Sequence, residues 1–397
     1  MVISPKIRNN VCLNCHPQGC KELVDQQISY MKNQHNLPAS SFKKVVVIGG
    51  SAGYGLAGRI ALAFGWDADT LNISFEKESS GKRPATVGLY NTKAFEQQAK
   101  AKGLYAESLY GDAYSEEMKH QAAEKIASDL GKVDLVLYSI ASPVRPKEDG
   151  GLYKSVLKPI GQTYTSQSIN LDSRTLDTVS IEPANEDEAA ETIKVMGGED
   201  WQRWISVLQE KGVLADGCMT LALSYIGPEI TQAVYREGTI GGAKKHLEAT
   251  AGKITKQLAS ENGSAFVSVN KAVVTRASAV IPVVPLYIGV LMKVMRQKGL
   301  EENCVEQMCR LFAEKLASDP QIDAEGRIRL DDYEMREDVQ KEVMDIWKRL
   351  TNENLEKEAD IDAYEQEFLH IHGFGFDSID YSQDVPFELG YSDDWVR

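Results

Sequence analysis

The residue types best able to do chemistry are two tyrosines and a lysine, Tyr225, Tyr235 and Lys244, in the stretch SYIGPEITQAVYREGTIGGAKK. A phenol beside an ammonium is a proton-donating pair. The phenol titrates near ~10, and a neighbouring cation favours its anion, so the proton leaves more readily. In an unbroken helix the Tyr235 and Lys244 side chains would point to opposite faces. Gly238, Gly241 and Gly242 lie between them and disfavour such a helix. The spacing therefore predicts Tyr235 in a loop or helix end and Lys244 in the first turn of a new helix, with Ala243, Leu247, Ile254 and Leu258 as its buried stripe. For an isolated pair, the alternative is a packed tyrosine and a solvated lysine.

The elements that must position these residues follow a strand–helix rhythm. KKVVVIGG predicts a strand over 45–48 that runs straight into GGSAGYGLAGRIALAFG. Gly49, Gly53 and Gly55 precede a helix whose face is Leu56, Ala57, Ile60, Ala61 and Phe64. Strand, glycine turn and helix together make a dinucleotide pyrophosphate site, because glycines admit the phosphates and a helix N-terminus offers free N–H groups. The alternative is a tight turn with no ligand. A second strand, TLNISFEK, ends in Glu76, placed to bind the adenosine ribose and to repel a 2′-phosphate. That favours NADH over NADPH, although Lys77 beside it could pair with such a phosphate. A strand over 104–109 leads to Asp112, near the adenine, and Ser115 opens the following helix. A strand over 133–138 delivers Ile140 and Ala141 to the crevice.

The fifth strand, MTLALSYIG, delivers Tyr225, and the sixth, AFVSVNKAVVT, ends at Thr275. The next stretch, ASAVIPVVPLYIGVLM, reads equally as the wall of an acyl pocket or as plain core. This is an α/β chain, a Rossmann-type doubly wound parallel sheet in one elaborated domain spanning 1–397. Its core covers about 40–300, a hairpin is inserted over about 146–184, and helices without chemistry fill about 300–397. The acidic, aromatic tail from Asp377 suggests no role.

A net charge of -14 argues against a nucleic-acid footprint. The longest uncharged run, 277–292, is too short for a membrane span and contains Pro282 and Pro285. MVISPKIRNN lacks a secretory apolar region, and six cysteines without a regular framework fit a reducing cytoplasm. Cys12, Cys15 and His16 match a haem-attachment pattern, and Cys20 makes zinc thinkable. Small buried or exposed thiols are the competing reading, and no metal is expected.

Taken together, the motifs resemble the bacterial trans-2-enoyl-CoA reductases and the related V-type enoyl-acyl-carrier-protein reductases, from end to end. The resemblance rests on HPQGC, VVVIGGSAGYGLA, SFEK, GDAYS, YSIASPVR, VMGGEDW, SYIGPE, YREGTIGGAK, NKAVVTRASAVIPVVPLY and LDDYEMREDVQ, in that order. It implies a short-chain-dehydrogenase-like Rossmann fold, NADH as cofactor, a 2,3-unsaturated acyl thioester as substrate, and a monomer. Carried over by motif, Tyr235 would be the proton donor, Tyr225 a contact at the thioester, and Lys244 a holder of the nicotinamide ribose. Gly49, Gly50, Ser51, Ala52, Gly53, Tyr54, Phe75, Glu76, Asp112, Ala113, Ile140, Ala141, Val273, Val274 and Thr275 would line the cofactor. Two other readings use the same residues: a carbonyl reductase acting on a ketone, and a sensor that binds NADH without chemistry. The carrier, coenzyme A or acyl carrier protein, stays open; the acidic chain leans towards coenzyme A.

Overall fold

A computed structural model describes residues 1–8 and 10–394. Its centre is a parallel sheet of β1 (Lys44–Ile48), β2 (Asp69–Ser74), β3 (Ala106–Tyr110), β4 (Val133–Tyr138), β7 (Leu214–Ser224), β8 (Ser264–Val269) and β9 (Arg327–Arg329). The spatial order is β9-β8-β7-β4-β1-β2-β3. Strands β5 (Tyr164–Asn170) and β6 (Thr175–Ile181) form a separate antiparallel hairpin, as the alternation around Ile169 and Val179 predicts. Valines 45, 46 and 47 have no exposed surface, because helices cover both faces of the sheet.

One layer is α1 (Pro17–Lys32), α2 (Gly53–Trp66) and α3 (Val87–Ala101). The other is α4 (Glu116–Asp129), α6 (Glu199–Glu210) and α7 (Thr239–Gln257), with Trp201 and Trp204 fully buried in it. Chain order reverses between β1 and β4, where Ile48 pairs with Tyr138, so the ligand crevice opens beyond those two strand ends.

Helix α5 (Glu186–Met196) begins with a capping box: Glu188 N donates to Asn185 Oδ1 at 2.8 Å, and Asn185 N donates to Glu188 Oε2 at 3.0 Å. Replacing Asn185 with Ala should cost ~1 kcal/mol, read as a lower urea midpoint with unchanged slope. An unchanged midpoint would show that the box contributes nothing.

Several boundaries differ from the sequence reading. β2 stops at Ser74, which leaves Glu76 in a loop, and β8 stops at Val269, so residues 270–275 continue as coil. Lys244 lies in the second turn of α7, not the first, because the helix already begins at Thr239. Residues beyond 300 supply more than helices: Arg327–Arg329 pairs in parallel with β8. Its two arginines hide it from a search for apolar alternation; Asp323, Glu325 and Asp331 neutralise them.

The apolar stretch after Thr275 becomes α8 (Val284–Gln297), most of it core, while Val280 stays half exposed. At the N-terminus His16 caps α1, its Nδ1 accepting from Gly19 N at 3.3 Å. Cys15 and Cys20 are buried, free thiols. The tail returns to the β2 and β3 ends: Tyr391 stacks on Tyr110 with centroids 4.6 Å apart, and its hydroxyl donates to Glu76 O at 2.6 Å.

Candidate active site

The glycine turn has the form a pyrophosphate needs. Gly49 has φ +91°, and a Cβ there would lie 2.5 Å from the Ser139 carbonyl oxygen. Gly55 packs so closely under the turn that a Cβ would lie 2.1 Å from Gly49 O. Gly50 N donates to Asn72 Oδ1 at 2.8 Å, which ties the turn to β2. No side chain caps α2, whose N-cap is Ala52 and whose first turn has no acidic residue. Its leading N–H groups remain available to an anion. The residues present therefore fit a dinucleotide.

Tyr54 donates through its hydroxyl to Lys271 O at 2.8 Å. Thr275 Cγ2 lies 3.8 Å from where a Gly53 Cβ would stand, so the loop through Val273 and Val274 closes one side of the turn. Ile140 and Ala141 follow β4 at the switch point, half-buried and exposed respectively. Asp112 is turned into its own loop, where Oδ1 accepts from Tyr114 N, and Ala113 O accepts from Trp204 Nε1. Phe75 is exposed.

Glu76 is 7% exposed and already engaged: Ser51 Oγ donates to Oε1 at 2.6 Å, and Thr86 Oγ1 donates to Oε2. Gly88 gives it room, since a Cβ there would collide with the carboxylate. Ser51 thus links the glycine turn to the acidic residue. Sequence alone placed these two only by their separate motifs.

The tyrosines meet edge to face, with ring centroids 5.0 Å apart and planes at 90°. Tyr235 follows the one-turn helix Glu229–Gln232, and its N–H bonds to Thr231 O at 2.9 Å. It shares a buried cluster with Ala272 and Val274, the loop that reaches Thr275. Burial, reinforced by Glu334, pushes its phenol well above the usual range. Lys244 is not bonded to it. Burial lowers that ammonium to about 8, and Glu248 opposes the shift. Neither side chain makes a hydrogen bond among the described residues, so the expected tyrosine–lysine pair is two groups, each without a polar side-chain partner.

A residue missed in the sequence completes the site. Glu334 has no exposed surface. Its Oε1 accepts from Tyr287 Oη at 2.6 Å and from Tyr225 Oη at 3.1 Å, and its Oε2 accepts from Ala272 N at 2.7 Å. The only signal was its place in LDDYEMREDVQ, a hundred residues beyond the tyrosines.

Residues 83–317 match the family described as the trans-2-enoyl-CoA reductase catalytic region, and residues 2–81 its NAD(P)H binding domain. The chain belongs to the trans-2-enoyl-CoA reductase family. The enzyme named trans-2-enoyl-CoA reductase [NADH] from Ruminiclostridium cellulolyticum is 49% identical to this reductase over 391 residues, covering 98% of each chain. An enoyl-[acyl-carrier-protein] reductase [NADH] of Photobacterium profundum is 50% identical, covering 97% of each. The Treponema denticola trans-2-enoyl-CoA reductase, solved in complex with NAD, superposes with a TM-score of 0.93 at 50% identity, covering 97% of this reductase and 98% of that chain.

Residues 322–385 match a third family, described as the enoyl reductase FAD binding domain. The first helix of that segment does not offer its N-terminus to a flavin pyrophosphate. Its α9 (Glu337–Arg349) opens with Glu337 and Asp338, which would repel a pyrophosphate at that helix end.

Proposed function

We propose that the protein reduces the 2,3 double bond of trans-2-enoyl thioesters with NADH, yielding the saturated acyl thioester. NADH supplies a hydride to C3, and charge develops on the thioester oxygen. Tyr225 hydrogen-bonds that oxygen, and Tyr235 gives the proton that completes the reduction. The observation that carries this reading is that Tyr235, packed against Tyr225 and the 272–274 loop, keeps a hydroxyl with no hydrogen-bond partner among the described residues. Lys244 holds the nicotinamide ribose, and its charge eases loss of the Tyr235 proton.

The turn from Gly49 to Tyr54 receives the pyrophosphate, with Thr275 closing it. Phe75, Glu76, Asp112 and Ala113 border the adenosine, and Ile140, Ala141, Val273 and Val274 the remainder of the cofactor. Glu76 excludes a 2′-phosphate by repulsion. E76A should therefore raise kcat/KM for NADPH by tenfold or more relative to NADH; an unchanged ratio removes Glu76 from cofactor choice. Six unpaired thiols are consistent with a reducing cytoplasm, and we read the working unit as a monomer.

The deciding assay is NADH oxidation with crotonyl-CoA, beside a long-chain enoyl thioester and an enoyl-acyl-carrier protein. Rapid loss of NADH absorbance is expected, and the ratio of rates reports pocket depth and carrier. Oxidation with a ketone but no enoyl thioester would favour a carbonyl reductase. NADH binding without oxidation by any of them would favour a sensor.

A further inference from the structure

Glu334 sits at the junction of three elements, and each of its oxygens is committed. Tyr225 comes from the end of β7, Tyr287 from α8 and the Ala272 N–H from the loop after β8. Gln340 Nε2 adds a bond to Glu334 O at 2.7 Å and another to Tyr287 Oη at 3.2 Å. A phenol carries one proton. While Tyr225 donates it to a carboxylate, none is left for a substrate oxygen. If the carboxyl is protonated, Oε1–H can donate to Tyr225 Oη and still accept from Tyr287, while Oε2 still accepts from Ala272 N. Both arrangements give each Glu334 side-chain oxygen a partner, as burial demands.

We propose that Glu334 is a positioning residue that sets the direction of the Tyr225 hydroxyl: as a carboxylic acid it donates to Tyr225, which turns the Tyr225 proton towards the thioester oxygen. Passing from carboxylate to acid takes up one proton from solvent, and with it the direction of the Tyr225 hydrogen bond reverses. The proposal rests on the reading of Tyr225 as the thioester contact.

The surroundings bring both forms within reach of neutral pH. Burial is the largest influence and raises the carboxyl to about 7. The Tyr287 hydroxyl, the Ala272 N–H and Lys271 oppose that rise, while Asp331 adds to it. Tyr225 and Tyr235, from the 225–235 stretch, and Tyr54, from α2, also feel its charge. Asp331 is itself paired with Arg329 at 2.7 Å.

The acid form is the productive one, so activity is present below the Glu334 titration and lost as pH rises through it. The test is kcat/KM for crotonyl-CoA at saturating NADH, from pH 6 to 9, in wild type, E334Q and Y225F. Wild type should fall to about a tenth of its acid-limit rate by pH 8, one unit above the midpoint. E334Q keeps a donor towards Tyr225 at every pH, so its rate at pH 8 should stay within about twofold of its rate at pH 6.5. In Y225F, slower throughout, the limb near pH 7 should be gone, because Glu334 acts only through the missing hydroxyl. A limb near 7 that persists in E334Q or in Y225F overturns the proposal, and the Y225F arm serves even if E334Q does not fold. Unimpaired turnover by Y225F would instead show that Tyr225 is not the thioester contact.

Discussion

Replacing Tyr235 with Phe should slow NADH oxidation by roughly 10²–10⁴-fold, the usual worth of a positioned general acid. NADH affinity should stay within about twofold. The reason is that the ring, not the hydroxyl, makes the Tyr235 contacts: it is 7% exposed, edge-on to Tyr225 and buried with Ala272 and Val274. Phe preserves that packing and deletes only a hydroxyl that makes no hydrogen bond among the described residues. Single-turnover mixing of NADH-loaded variant with crotonyl-CoA separates chemistry from product release. Wild-type turnover by Y235F would sink the assignment, and a matching loss of NADH affinity would recast the residue as structural.

G49A should weaken NADH binding by ~100-fold or more, equivalent to about 2.7 kcal/mol. Two costs combine at this position. Alanine at φ +91° is strained by ~1–3 kcal/mol, and its methyl would meet Ser139 O at 2.5 Å, forcing the turn away from β4. That displacement moves the backbone that must face the phosphates. G103A is the control: φ is +85°, but nothing lies within 4 Å of the added methyl. It should lose stability alone. A fluorescence titration with NADH, paired with thermal melts of both variants, distinguishes the cases. Equal NADH affinity in G49A and wild type would show that the phosphates do not depend on this turn.

How much of this was legible beforehand follows from the range of the interactions. The strand–glycine–helix signal at 44–66 is local, so composition and spacing sufficed to find it. The capping box of Asn185 and Glu188 is equally local, three residues apart. Period-two alternation led to a hairpin over about 146–184, and its paired strands lie at Tyr164–Asn170 and Thr175–Ile181. The edge strand at 327–329 was not, because its paired arginines carry no apolar alternation and its pairing with β8 spans sixty residues. The contact of Tyr391 with Glu76 was invisible for the same reason, at a separation of 315 residues.

Short-range spacing was enough for the parallel Rossmann architecture, the glycine turn and the choice of the two tyrosines and the lysine. Tertiary structure alone decided which groups act on them. It left Tyr235 and Lys244 unbonded to each other, closed Ser51 and Thr86 onto Glu76, and brought Glu334 against Tyr225 and Tyr287. The physical reason is burial: a carboxyl or phenol removed from water must be answered by whatever polar group the fold places within reach, and that neighbour is set by packing across the sheet rather than by distance along the chain.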